Sequence, residues 1–143
     1  MGERLFAEID NDLAEIGRVT ALIECFGAEH KLPQAVVFHL VLAFDEVLTN
    51  IISHGFCDGN RHKITASISF EGNTLAAEII DDGIAFDPFA LPPPDTTLSI
   101  EEREIGGLGI HFVRTAMDAV DYHRIDGRNH LKLIKIVPAE PAN

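Results

Sequence analysis

A change of hydrophobic period in the middle of the chain restricts the fold more than any other feature of the sequence. Apolar residues recur at steps of three and four over residues 37 to 51, which is the pattern of one long amphipathic helix beginning near Pro33. After the turn cluster at 58 to 60 the apolar residues alternate with polar ones over residues 64 to 70, as in a strand. A chain that must bury a long helix and paired strands together is expected to form layers of helix on sheet.

Periodicity and turn residues predict the remaining elements. In chain order they are a strand over residues 4 to 9, a helix over 13 to 23 that ends at Gly27, a strand over 75 to 80, a helix from 109 to 117, and strands over 120 to 125 and 130 to 137. We therefore predict one α+β domain over residues 1–143, a two-layer α/β sandwich with helices on one face of a mostly antiparallel mixed sheet. Residues 137–143 are predicted to be a frayed tail.

A proline-rich segment over residues 84 to 105 has no usable periodicity and is followed by a glycine-rich run. A loop of that length in a domain of this size is usually functional. We predict that residues 88 to 105 form a lid, and that the glycines at its end act as hinges, as backbone donors to a bound anion, or as both.

Composition narrows the class of partner. The chain has 143 residues, with 11 Lys and Arg against 23 Asp and Glu and a formal charge of −12, so its surface is expected to repel nucleic acid and anionic membranes. Apolar runs fall short of the roughly 20 residues that span a bilayer, and the first residues do not resemble a signal peptide. Cys25 and Cys57 lie in no CxxC or Cys/His cluster and are expected to be reduced thiols. These features predict a cytoplasmic protein.

The long helix carries two polar residues that could bind a cation. Glu46 and Asn50 are one helical turn apart and therefore share a face, roughly opposite the apolar stripe. A carboxylate beside an amide oxygen offers the hard oxygen ligands that Mg²⁺ prefers. The alternative is that both are ordinary solvated residues of an exposed helix face.

Two further motifs follow in the chain. Asp81 ends a predicted strand and Gly83 follows it, so a flat ligand could approach the backbone while the carboxylate accepts a hydrogen bond from an exocyclic amine. A plain Asx turn is the alternative. Gly106, Gly107 and Gly109 precede helical sequence, and bare N–H groups at a helix N-terminus favour anions. The sequence contains no GxxxxGK[ST] motif, which excludes a P-loop.

The three motifs together resemble one nucleotide-binding family. FDEVLTNIISHG at 44 to 55 resembles the N-box of the ATPase superfamily shared by gyrase, MutL and histidine kinases, IIDDGIAFDP its adenine-binding box, and GGLGIHFVRTAMDAVDY its lid and helix box. The particular spellings are similar to bacterial anti-sigma-factor serine/threonine kinases. This resemblance implies a Bergerat ATP-binding fold, Mg-ATP as cofactor, inhibition of a sigma factor or related target, and phosphorylation of a serine or threonine on a STAS-domain antagonist. It also suggests a homodimer.

The resemblance assigns a role to each motif residue. Glu46 resembles the general base, Asn50 the magnesium ligand, and Asp81 with Gly83 the adenine contacts. The lid segment that binds the nucleotide corresponds to Gly106, Gly107, Leu108 and Gly109, with Gly107 and Gly109 as backbone donors. The final strand of many relatives carries a threonine that helps to hold adenine, and Lys132 stands in that place here.

Two other functions fit the same motifs. One is a non-catalytic ATP-binding regulator that sequesters a protein partner, and the other is a detached catalytic domain of a histidine kinase. The second is disfavoured because the sequence has no separate pair of dimerisation helices with an acceptor histidine. Retention of both Glu46 and Asn50 favours a catalytic protein over a mere binder.

Overall fold

The computed structural model of the protein describes residues 3–90 and 107–138. Gly106, most of the predicted lid and residues 139–143 of the predicted tail lie outside these ranges. Within them the elements are β1 (Glu3–Asp10), a 3-10 helix (Leu13–Glu15), α1 (Ile16–Glu29), α2 (Gln34–His54), β2 (Lys63–Glu71), β3 (Thr74–Asp81), a second 3-10 helix (Pro88–Ala90), α3 (Gly107–Ala116), β4 (Ala119–Ile125) and β5 (Arg128–Ile136).

The described strands form one sheet in the order β1-β2-β3-β5-β4, and every pairing between neighbours is antiparallel. Two tight turns build its hairpins. Gly72 turns β2 into β3 with φ of 62°, and Asp126 and Gly127 turn β4 into β5 with φ of 50° and 77°. In the turn between β4 and β5 both central residues have positive φ, which is the geometry of a type I′ hairpin turn. The predicted α+β sandwich is confirmed.

The core lies between the sheet and the helices. Alternate residues of β2 and β3 face the helices and are buried, among them Ile64, Ile68 and Ile79, while the residues between them face away. Helix α2 covers these strands with a stripe that includes Phe44 and Leu48, which are 2% and 0% exposed. Each such side chain contributes about 1.5–3 kcal/mol by leaving water, so this layer contact fixes the position of α2.

Gly27 does not end the first helix, contrary to the prediction. Helix α1 continues to Glu29, and Gly27 is buried where α1 crosses α2. A Cβ at position 27 would lie 2.5 Å from Cγ2 of Val37. The glycine therefore permits close approach of two helices, and the chain leaves α1 afterwards at Lys31, which has φ of 53°.

Helix α2 is long and apolar enough, by length and composition alone, to cross a membrane. It has 21 residues and an 18-residue window with mean hydropathy of 1.8, so the expectation that no run approaches spanning length is wrong for this segment. Its apolar residues have a different explanation. One side of the helix packs into the hydrophobic core, and its buried residues are Val36, Leu40, Ala43, Phe44, Val47 and Leu48.

Candidate nucleotide-binding and catalytic site

Glu46 lies where α2 and α3 meet. Its side chain is half-buried, and a Cβ on Gly109 would overlap its carboxylate group. The glycine therefore lets the first turn of α3 pack directly on this acid. Burial raises the pKa of the Glu46 carboxyl above its ordinary value, and the neighbouring Asp45 carboxylate adds to the rise.

Asn50 follows one turn later on the same face of α2. Its Nδ2 donates a hydrogen bond of 2.9 Å to the backbone carbonyl of Glu46, which leaves Oδ1 as the oxygen that a cation could use. In the part of the chain that the structure describes, no group of three or more His, Cys, Asp or Glu side chains forms a metal site. A magnesium ion here would therefore depend on a ligand's own oxygens as well as on Asn50.

Asp81 ends β3 and is only 3% exposed. Its Oδ1 accepts two hydrogen bonds, from the backbone N–H of Gly83 at 2.8 Å and from Nδ2 of Asn129 at 3.0 Å. Its Oδ2 is buried and has no hydrogen-bond partner among the described residues. Burial raises the pKa of Asp81, and the bonds from Asn129 and Gly83 oppose that rise. A buried acceptor left without a donor is costly unless a ligand supplies one.

Gly83 docks the loop after β3 onto the end of α2. A Cβ at position 83 would overlap the carbonyl oxygen of Gly55 and would lie 2.9 Å from Oδ1 of Asp81. The next residue, Ile84, donates its N–H to the same Gly55 carbonyl at 2.8 Å. This contact brings the loop that carries Asp81 against the end of the helix that carries Asn50.

The glycine-rich run is described only in part. Gly107 begins α3 and Gly109 touches Glu46, so their backbone lies at the N-terminus of a helix of 10 residues, which favours an anion. Leu108 belongs to the same turn, and Gly106 lies outside the described residues. The structure thus brings Glu46, Asn50 and Gly109 together, and it joins Asp81 and Gly83 to the same helix. Their roles stay predictions.

Sequence reasoning missed Asn129, which is 4% exposed and pairs in register with Asp81 across the sheet. The alternating pattern of β5 could have indicated this residue. Leu131 and Leu133 point into the core, and Asn129 lies on the same face of the strand. Lys132, by contrast, is exposed on the opposite face. Its side chain therefore does not lie beside Asp81, contrary to the correspondence drawn for it.

Comparison with known proteins shows the family to which the chain is related. The family model described as histidine kinase-like ATPase domain matches residues 9–135. The chain is 36% identical over 96 residues to the serine/threonine-protein kinase BtrW of Bordetella bronchiseptica, an alignment that covers 67% of this chain and 68% of that protein. It is 29% identical over 92 residues to the serine-protein kinase RsbW of Listeria monocytogenes, covering 62% of this chain and 59% of the relative.

Two further matches agree. An anti-sigma F factor of Thermoanaerobacter pseudethanolicus is 32% identical over 91 residues, which is 62% of each chain. A crystal structure of the RsbU and RsbW domains of Rv1364c from Mycobacterium tuberculosis superposes with a TM-score of 0.67 at 16% identity, over 94% of this chain and 32% of the other. The fold is therefore shared. The chain spans less than two thirds of the Listeria and Thermoanaerobacter relatives and about a third of the solved chain.

Proposed function

The chain belongs to the histidine kinase-like ATPase domain family, and from that premise we propose that it is a Mg-ATP-dependent protein serine/threonine kinase. In this proposal it acts in the cytoplasm as an anti-sigma factor or partner-switching regulator and phosphorylates a STAS-domain antagonist. The names of its relatives support the proposal, since two are protein kinases and a third is an anti-sigma factor. The STAS substrate rests on the motif resemblance alone.

The residues around Asp81 fit an adenine nucleotide. The unpaired Oδ2, unpaired within residues 3–90 and 107–138, is a buried acceptor that matches the exocyclic amine of adenine. Gly83 lets the loop beside Asp81 pack against Gly55, where a Cβ would overlap the carbonyl oxygen, and its own N–H is already used by Asp81. GTP should bind poorly, because guanine presents a carbonyl oxygen where adenine presents the amine.

Asn50 fits the magnesium ion that would accompany the nucleotide. Its amide is oriented by the bond to the Glu46 carbonyl, so Oδ1 is presented without loss of further side-chain freedom. Mg²⁺ bound there would neutralise charge that develops on the phosphates during transfer.

A single observation supports catalysis most directly: the Glu46 carboxylate lies against Gly109 at the first turn of α3. A helix N-terminus is where phosphate groups bind, so the carboxylate stands beside the place where an incoming hydroxyl would attack. Glu46 is proposed to take the proton of that hydroxyl. Its raised pKa brings it closer to the range in which a base exchanges protons at neutral pH.

The proposal is tested with labelled ATP, Mg²⁺ and STAS-domain proteins encoded beside the gene, followed by mapping of the phosphorylated residue. Glu46→Gln should keep the helix, since both residues are good helix formers. Nucleotide affinity should stay near the parental value, while the transfer rate falls by roughly 10²–10⁴-fold. The matched control is Glu24→Gln, the same change at an exposed site on α1, which should keep the parental rate.

The outcomes separate the candidate functions. A Glu46→Gln protein that transfers phosphate at the parental rate would remove Glu46 as the base. A parent that phosphorylates no STAS protein, yet binds one only in the presence of nucleotide, would be the non-catalytic regulator. Asn50→Ala should weaken the magnesium-dependent part of nucleotide affinity and the transfer rate together.

A further inference from the structure

Asn129 is an amide whose hydrogen-bonding capacity is fully used. Its Nδ2 donates to Oδ1 of Asp81 at 3.0 Å and to the carbonyl of Ile84 at 2.8 Å. Its Oδ1 accepts from the hydroxyl of Tyr122 and from Nη1 of Arg124, the latter at 3.1 Å. Two donors and two acceptor sites are all that a primary amide offers.

Arg124 fixes which way this amide faces. A guanidinium group only donates, so a flipped Asn129 would turn its NH₂ toward a donor and its oxygen toward the Asp81 carboxylate. The same Nη1 of Arg124 donates to the carbonyl of Gly83 at 2.7 Å. The edge strand β4 is thereby connected both to Asn129 and to the loop that follows β3.

The orientation of Asn129 decides which oxygen of Asp81 is available. Oδ1 is held by Asn129 and by the N–H of Gly83, and among the described residues Oδ2 has no partner. The χ2 torsion of an aspartate is soft. Without the amide, the carboxylate would retain one bond in place of two and could rotate.

We infer that Asn129, oriented by Tyr122 and Arg124, is a positioning residue that sets the selectivity of the site for adenine over guanine nucleotides. It acts through Asp81, by keeping one carboxylate oxygen engaged and the other free as an acceptor for the amine of adenine. The inference rests on the proposed function, because it assumes that the base of ATP binds beside the Asp81 carboxylate. Burial raises the pKa of Asp81, and the hydrogen bond from Asn129 opposes that rise and so favours the ionised carboxylate, which only accepts.

The test measures ATP and GTP affinities, with Mg²⁺, by isothermal titration calorimetry. Asn129→Leu keeps approximate size and removes every polar contact of the amide, and it should lower the ratio of ATP to GTP affinity by about 5- to 30-fold. Because a buried leucine there could impair folding, Arg124→Met is the second variant. Arg124 is exposed on β4, and its loss should lower the same ratio by a smaller factor.

Lys132→Met is the matched control, since it lies on the same strand with its side chain on the other face and should leave both affinities unchanged. A merely structural role for Asn129 would weaken both nucleotides equally and preserve the ratio. A parent that binds neither nucleotide would overturn the proposed function together with this inference. A parent that prefers ATP, with variants that keep its full preference, would overturn the inference alone.

Discussion

At the scale of single residues, Asp81 gives the strongest support to the proposed nucleotide site. A buried carboxylate normally satisfies both oxygens, because an unpaired buried acceptor is destabilising. Asp81 places two donors on Oδ1, and within the described part of the chain Oδ2 has none. The Asn129 amide and the Gly83 N–H hold both bonds on one oxygen, so Oδ2 is left as the acceptor that the proposed ligand would use.

Replacing Asp81 with Asn should weaken ATP binding. The change keeps the shape but turns one acceptor into a donor, and the mismatch with a buried amine is expected to lower affinity by about 1–3 kcal/mol, or 5- to 150-fold. Calorimetry with Mg-ATP measures the difference. The control is Glu78→Gln, the same kind of change on the outer face of β3, which should bind ATP as the parent does. Equal affinities for the Asp81 variant and the parent would show that adenine binds elsewhere.

Sequence reasoning identified the candidate motif residues but not the residues that contact and support them. Asp81 and Gly83 were found because a strand end and a turn glycine are local signals. Asn129 was missed because its importance depends on register, that is, on which residue of β5 lies opposite Asp81. Register is a property of two strands distant in sequence, so no single motif contains it.

At the scale of elements, the crossing of α1 and α2 depends on one missing side chain. Gly27 lies in the interior of α1, where a glycine ordinarily weakens a helix by about 1 kcal/mol relative to alanine. The position tolerates that loss because Val37 occupies the space in which a Cβ would stand. Sequence reasoning interpreted this glycine as a helix terminator. A glycine that ends a helix and a glycine that lets two helices pack closely look the same in a sequence.

Gly27→Ala should therefore destabilise the protein, by about 1–3 kcal/mol from overpacking against a β-branched side chain that is stiff in a helix. Urea unfolding measures the change. In the background of Val37→Ala the same substitution should lose its penalty, because the obstructing methyl group is gone. Gly17→Ala is the control in the same helix, where a Cβ meets nothing within 4 Å, and it should raise stability. If the effects of Gly27→Ala and Val37→Ala on the free energy of unfolding were additive, the packing explanation would be contradicted.

At the scale of the whole molecule, the layers could be predicted and the order of the strands could not. The hairpins β2-β3 and β4-β5 follow from turns at Gly72 and at Asp126-Gly127, which are local. The pairings of β1 with β2 and of β3 with β5 join distant segments. They are decided by which apolar faces match under α2, and the sequence alone leaves several orders equally satisfactory.

At the end of the sheet, one cluster of ionisable side chains joins the loop between α2 and β2 to the end of β3. His62, in the loop between α2 and β2, contacts Asp82 after β3 through Nδ1 at 3.0 Å and Asp58 through Nε2 at 2.8 Å. Its ring stacks on Phe56 with centroids 4.6 Å apart. The hydrogen bond to Asp58 and the charges of both carboxylates raise the pKa of His62 above its ordinary value of 6.5. The bond also contributes to the lowered pKa of Asp58, after the backbone N–H of Asn60.

These shifts predict how stability depends on pH. A group whose pKa is raised on folding binds its proton more tightly in the folded state. The contribution of His62 is therefore fully present below its ordinary pKa of 6.5, and it is lost as pH rises through the higher pKa of the folded protein. Removing the imidazole with His62→Gln should lower the free energy of unfolding more at about pH 5.5 than at about pH 8.5.

Urea unfolding of the parent and the variant at both pH values gives this difference. The control is His123→Gln, which removes a histidine that is 64% exposed on β4 and pairs only with the exposed Asp121, so it should change the free energy of unfolding less than His62→Gln does at about pH 5.5. The stacking of His62 on Phe56 is present in either charge state, so its loss adds a term that is similar at both pH values. If the difference between parent and variant is the same at both pH values, the ring does not bind its proton more tightly in the folded state, and charge attraction to Asp82 does not hold the loop to the end of β3.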